Sequence, residues 1–451
     1  MAPTAIMTVF TSEQVAALSP DPASLKAGRG LTTPSKWPTL GRSELAIWGE
    51  CQGSGSKPYA VIVDVNGPAF KCSCPSRKFP CKHGLGLLLI SVEKASALTI
   101  GEPPPWVSDW LSSRVQKAEK KAVAVAEKKD APPPDPAAVA KKQAARLKKM
   151  QAGGEDLSRW LEDQIRMGLS ALPRQPGNHW SGVAARMVDA QVPGLALEVK
   201  RAGELVHSGD GWAIRVLAQL GRIRLIADAL ARYTELDAPL QNDLRATLGW
   251  PLDKDEVLAA QPAVQDTWLV AGQKFVEQER LWERHTWLLG RTTRQTALLL
   301  EFSHGNRNFP LSLIVGTEFT ASLAFYPTAH PQRALLTNEV IQPTPSQTPC
   351  SGFTTWREAA DAQVEALALN PWLTVFPVAL NEVIPLRRGE TWLLRDAEAV
   401  EQPFTMPAMQ AWQLLATSAG HPVTIFGEWN NGQLRVLAAW SGAELIVQAE
   451  S

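Results

Sequence analysis

The chain has 451 residues, 45% hydrophobic and 20% charged, which are the values of a folded protein and exclude a disordered one. Lys+Arg and Asp+Glu both number 45, so no overall charge advertises nucleic acid or a membrane surface, and any electrostatic attraction must be local. The length exceeds one ordinary core and predicts about two to four domains.

The N-terminus, MAPTAIMTVFTSEQ, has no basic segment and no long apolar one, so it does not read as a signal peptide. Thr11 followed by Gln14 forms a capping-box pattern for a short helix. ELAIWGEC (44–51) and YAVIVDV (59–65) read as strands around the loop QGSGSKP. Asn66-Gly67 is the pair preferred in a two-residue type I′ hairpin, and the returning strand runs through Phe70. It enters FKCSCPSRKFPCKH (70–83), which holds three of the five cysteines and one of the seven histidines. Five cysteines, an odd and sparse number, do not make a disulfide scaffold. The aliphatic run LGLLLI (85–90) is far too short to cross a bilayer. The expectation is a cytoplasmic protein with no membrane association.

Cys72, Cys74, Cys81 and His83 have the spacing C-x-C-x6-C-x-H. Residues two apart in a strand point to one face, so Cys72 and Cys74 can present both sulfurs to one point, with Pro75 ending the strand. Pro80 turns the chain into CKHGLGLLLISVEKA, a helical stretch. Two positions on a helix are about 200° apart, so Cys81 must precede the helix while His83 sits in its first turn. Three thiolates and an imidazole so arranged suit one Zn²⁺, and with all four donors used the site is structural. A disulfide is the competing reading, but an extended C-x-C pair is poor disulfide geometry. Between Asp64 and Glu93 there is no acidic residue, while Lys71, Arg77, Lys78 and Lys82 surround the ligands. These cations favour thiol deprotonation, and they are also candidates for contacting a partner or phosphates.

Residues 114–150 hold 11 Lys+Arg against 4 Asp+Glu and are split by PPPDP, which reads as a basic tether with two helix-prone arms. Leu157, Trp160, Leu161, Ile165 and Leu169 then form a helical apolar stripe, repeated at Trp180–Val188 and Trp212–Ala227. From about 284 the chain reads as strands: RHTWLLGR, TALLLEFS, LSLIV and EFTASLAFYP. Helices are expected at 355–369, with Thr355 and Glu358 as capping box, and at 408–418. A last hairpin, VTIFGEWNNGQLRVLAAW, has Asn431-Gly432 at its tip. The 17 tryptophans, set against three tyrosines, read as core anchors. GSGSK (53–57) lacks phosphate-loop spacing and reads as a hairpin loop; Asp253, Asp255 and Glu256 read as a helix's first turn. Cys51 reads as a buried small hydrophobe; Cys350 reads the same way or as an exposed thiol. No enzyme motif is present, so no catalytic residue and no organic cofactor is expected.

C-x-C, a short spacer, then C-x-H, between a β-hairpin and a helix, resembles the SWIM zinc finger, a ββα unit. The resemblance implies that Cys72, Cys74, Cys81 and His83 hold the metal. The finger, the segment PPPWVSDWLSSR, the basic tether and DLSRWLEDQIRMGL together resemble bacterial SWIM-family proteins of this length. Such proteins tend to be encoded beside an AAA+ ATPase of the MoxR type and a von Willebrand A-type protein, which implies an adaptor role.

The expected fold is therefore α+β and multidomain: an α/β region at 1–112 containing the finger (about 59–95), a tether at 113–152, a helical domain at 153–270 and a β-rich domain at 271–451 with two interspersed helices. The expected function is a non-catalytic zinc protein recognising a protein partner, with DNA or RNA binding through the basic finger and tether as the alternative.

Overall fold

The computed structural model describes residues 12, 15, 18–19, 22–53, 57–65, 69–76, 78–114, 135–278, 281–304, 307, 309, 311, 313–337, 343–348, 350–430 and 432–449. Thr11, Gln14, Asn66-Gly67, Arg77, Asn431 and the tether over 115–134, all singled out above, lie outside the described residues.

The N-terminal unit begins with helix α1 (Pro22–Arg29) and strands β1 (Thr39–Arg42), β2 (Ala46–Cys51), β3 (Tyr59–Asp64) and β4 (Ala69–Cys72). Helix α2 (Lys82–Glu93), strand β5 (Thr99–Ile100) and helix α3 (105–114) follow. The sheet order is β4-β3-β2-β1-β5, with β5 parallel to β1 and the other pairs antiparallel. YAVIVD is apolar at consecutive positions because both faces of the sheet are covered. Val61, Val63 and Phe70 face α2, packing with Leu85, Leu88 and Leu89. Ile62, Ala46 and Trp48 face α3, against Val107 and Trp110. α1 lies close on α2: a Cβ at Gly28 would meet Leu85 Cβ at 3.0 Å, and one at Gly86 would meet Leu31 Cβ at 2.9 Å.

Helix α4 (Pro136–Met167) opens the second unit, with Asp135 capping its first turn and Pro136 at the first helical position. It runs unbroken through position 152, so the expected border between tether and helical domain falls inside one helix. Helices α5 (His179–Asp189), α6 (Pro193–Leu205), α7 (Trp212–Ala231) and α8 (Ala238–Leu248) complete a bundle around Leu157, Leu161, Val199, Leu220, Ile223 and Leu244. The short helix α9 (Lys254–Ala260) has the capping box Asp253–Glu256 and an acidic first turn, as its sequence suggests.

The remaining chain forms two six-stranded sheets. The first comprises β6 (Val264–Gln278), β7 (Leu281–Gly290), β8 (Thr296–His304), β9 (Thr317–Phe325), β10 (Ala334–Leu336) and β11 (Thr344–Pro345). The second comprises β12 (Phe376–Arg388), β13 (Thr391–Arg395), β14 (Glu401–Thr405), β15 (Val423–Asn430), β16 (Gln433–Ser441) and β17 (Glu444–Gln448). They share a core of Trp268, Trp287, Phe426, Leu437 and Trp440. Helices α10 (Trp356–Leu369, capping box Thr355–Glu358) and α11 (Ala408–Ser418) cover the second sheet's other face. The architecture is α+β, with the finger at the N-terminus, helices in the middle and sheets at the C-terminus. The described residues of LSLIV, 311 and 313–315, form no strand. Its Leu313 and Val315 enter the sheet core while Ile314 enters the core of the N-terminal unit, so its alternation serves a connection between two cores. Among the described residues no helix is long and apolar enough to cross a membrane.

Candidate metal centre

The β3–β4 hairpin and α2 bring the four expected donors together. β4 ends at Cys72, one residue pair earlier than Pro75 would require, but the ladder continues through Ser73, whose N–H donates to Ala60 O at 3.0 Å. Ser73 Oγ accepts the Ala60 N–H at 3.0 Å, which holds the chain extended as far as Cys74. Phe70 packs towards α2, so by strand alternation Cys72 points the same way. Cys81 is the N-cap of α2, with extended backbone, and His83 lies in the first turn.

Ligand atoms of Cys72, Cys74, Cys81 and His83 all lie within 4.8 Å of one another. His83 Nδ1 stands 3.8 Å from Cys72 Sγ and 4.0 Å from Cys81 Sγ. A tetrahedral zinc with bonds of about 2.3 Å to sulfur and 2.05 Å to nitrogen spaces S and N about 3.6 Å apart, so the donor set and its spacing fit Zn²⁺. Cys81 and His83 are buried, and Tyr59 packs on the imidazole with ring centroids 4.9 Å apart. Three sulfurs this close cannot all ionise without a cation. The Cys72 thiol, hydrogen-bonded to Cys81, holds Cys81 down at about 4, while Cys72 is pushed up by the same contact and by burial. Burial also raises Cys74. A divalent ion relieves that conflict by replacing the protons. Among the described residues no other group of three or more His, Cys, Asp or Glu side chains gathers in this way.

The three expected contact cations among the described residues, Lys71, Lys78 and Lys82, do not form one patch. Lys78 and Lys82 are exposed and line a cleft beside the metal centre. Lys71 is exposed on β4, but alternation with Phe70 turns it to the opposite face of the sheet. Helix α1 and Tyr59, which border that cleft, were not recognised from sequence as functional. Pro22 at the first helical position, Lys26 and Arg29 in the last turn and Gly30 beyond it were the available signals for α1. Cys350, left open above as an exposed thiol, is buried, and burial pushes its thiol up to about 12.

A ββα unit closing three cysteines and a histidine around one point defines a zinc finger. Residues 61–91 match the SWIM zinc finger family, and residues 145–248 match the SWIM-associated four-helix bundle domain. Over those two stretches the chain is similar to the SWIM-type zinc finger and its associated helical bundle. No curated protein and no solved structure matches it.

Proposed function

We propose that the chain is a non-catalytic adaptor in which one structural zinc, held by Cys72, Cys74, Cys81 and His83, sets the finger that recognises a protein partner. The observation that carries this reading is the donor set itself: four protein ligands satisfy a tetrahedral ion and leave no position for a substrate or water. The chemistry the ion supplies is local folding energy, and recognition falls to the surfaces it fixes. A partner AAA+ ATPase of the MoxR type is the candidate that the resemblance to bacterial SWIM-family proteins suggests. The test is a pull-down of the tagged protein with and without nuclease, probed for that ATPase. Capture that survives nuclease and fails with zinc-free protein supports the reading; capture lost on nuclease treatment sinks it.

One observation favours a second reading, nucleic-acid binding. Residues 22–83 contain nine Lys or Arg against three Asp or Glu. With Lys71 turned away, the two cleft lysines give a log–log salt slope of about −1.8 on duplex DNA, which tether lysines would steepen.

A further inference from the structure

Helix α7 turns an apolar face to solvent, where a surface helix ordinarily carries its polar residues. From Ile214 to Leu225 its exposed residues are Ile214, Arg215, Leu217, Ala218, Gly221 and Leu225. Arg215 is the one charge among them, and it is tied back to Ser208 Oγ at 2.9 Å and to Gly209 O at 3.3 Å. Ile214 is 77% exposed, and Leu217 and Leu225 are about half exposed. A groove of about 410 Å³ runs between α7 and α4 over Leu161, Leu220 and Gly221, and Ile165 of α4, itself half exposed, lines it with Leu217.

Gly221 is a second, independent observation. Glycine inside a helix is costly relative to alanine, yet Gly221 lies within the regular span of α7, and an added Cβ would meet nothing within 4 Å. No described part of the chain needs this position to be small. A backbone approaching from outside does.

The charges beside the groove satisfy one another. Arg224 reaches Glu162 at 3.0 Å and Asp228 at 2.8 Å, while Arg166 reaches Glu162 and Asp163, both at 3.4 Å. With Arg215 the face holds three cations and three anions, so it offers little net field to a strongly charged ligand, and two such faces can meet without repulsion. The face is also its own complement. An antiparallel second copy that lays its Gly221 over this one sets Leu217 of each α7 against Leu225 of the other, four residues to either side of the centre. The paired glycines let the backbones approach, the leucines interdigitate beside them, and Asp228 falls at the end where Arg215 of the second copy stands. Carrying both the knobs and the gap on one surface is the requirement of a two-fold interface.

We propose that α7, with Ile165 of α4, is the interface of a two-fold homodimer centred on Gly221. This goes beyond the adaptor reading and does not depend on it. A dimer presents two metal centres, so a partner with repeated sites is held bivalently. The stripe from Ile214 to Leu225 is about 17 Å long, small beside the ~800 Å² per partner of standard interfaces. Association is therefore weak, with half of the chains paired at about 10–100 µM.

Sedimentation velocity of the zinc-loaded full-length chain, run from about 1 µM to about 500 µM, should show monomer passing into dimer. Leu217→Lys with Leu225→Lys should stay monomeric over that range, and so should Leu217→Glu with Leu225→Glu. Mixing the two double variants should restore the dimer, because each lysine then faces a glutamate. Both positions are exposed in the single chain, so circular dichroism and zinc content should match the wild type. Gly221→Lys, whose side chain has open space in the monomer, should weaken pairing at least about tenfold. A wild type that is monomeric throughout overturns the proposal, whether the groove is then found empty, covered by residues 115–134 or filled by another protein. A dimer that survives both charged pairs overturns it too, since another face then holds the copies together. Double variants that are each monomeric and stay so when mixed overturn the antiparallel arrangement, and with it the proposal.

Discussion

Cys81 occupies a position with two duties, as N-cap of α2 and as the central thiol of the metal cluster. Cys81→Ser keeps a capping side chain but removes a soft ligand, so the two duties can be separated. Elemental mass spectrometry of the wild type should give zinc near one per chain. The variant should lose it and unfold the finger locally, since structural zinc supplies about 10 kcal/mol to such units; full zinc in Cys81→Ser would rule out the four-ligand assignment. Thiol labelling gives an independent check. Iodoacetamide should modify Cys72, Cys74 and Cys81 only after chelation. Cys350, buried and with its thiol pushed up to about 12, should stay unmodified until denaturant is added. At this scale the metal ligands were legible from spacing alone, because pleat and helix period dictate where each donor points. The cleft was not, because its walls come from α1, β3 and the ligand loop, which only tertiary packing brings together.

Within the bundle, two helical glycines with the same propensity cost face opposite surroundings. A Cβ at Gly194, in the first turn of α6, would stand 1.9 Å from Thr247 O of α8, a backbone atom that cannot swing aside. At Gly221, in the middle of α7, an added Cβ meets nothing within 4 Å. Gly194→Ala should therefore destabilise the protein by about 1–3 kcal/mol through forced separation of α6 and α8. Gly221→Ala should be stabilising by about 1 kcal/mol from helix propensity. Denaturant melts of the two variants provide the comparison, and equal effects would mean that α6 and α8 do not approach as described. Elements announced by local chemistry were readable beforehand: the capping box at Thr355–Glu358, the acidic turn at Asp253–Glu256, and most of the apolar stripes of α4, α5 and α7, although Ile165, Val188 and Leu217 of those stripes are exposed and stand outside the bundle core. β6 was missed, and the expected domain border at 271 cuts through it. Trp268, Leu269, Val270 and Ala271 are all buried, so the strand shows no alternation. α4 extends upstream of the expected border because Asp135 and Pro136 start a helix that Ala and Lys then sustain. LSLIV misled for the converse reason, showing strand periodicity without a strand's partners.

The bundle and the sheets are joined through a short stretch after α10. Trp372 inserts into the bundle core, and its carbonyl accepts from Arg222 Nη2 at 2.7 Å. Next to it, Asp243 of α8 is buried and accepts hydrogen bonds from Asn370 Nδ2 and from the Ala329 N–H, both at 2.7 Å. Burial raises the Asp243 carboxyl to about 6; the Ala329 N–H opposes that rise, and Asp237 adds to it. The sign of the pH dependence follows from the direction of the shift. Between an unfolded value of about 3.9 and the folded one, the closed junction holds the proton more tightly than the open one. Closure is thus most favourable at the acid end and weakens as pH rises through that window, levelling off above about 6. For opening that exposes Asp243 to water, the equilibrium should shift about tenfold between pH 5 and pH 7. Hydrogen exchange at the Ala329 amide reads this directly once intrinsic rates are divided out: its protection should fall by about that factor. In Asp243→Asn, protection should be lower at acid pH, because the new amide nitrogen cannot accept from both donors, and the residual dependence on pH should vanish. A wild-type protection factor that is flat from pH 5 to 7, or a variant that keeps the wild-type slope, would show that the contact between bundle and sheets is not governed by this carboxylate.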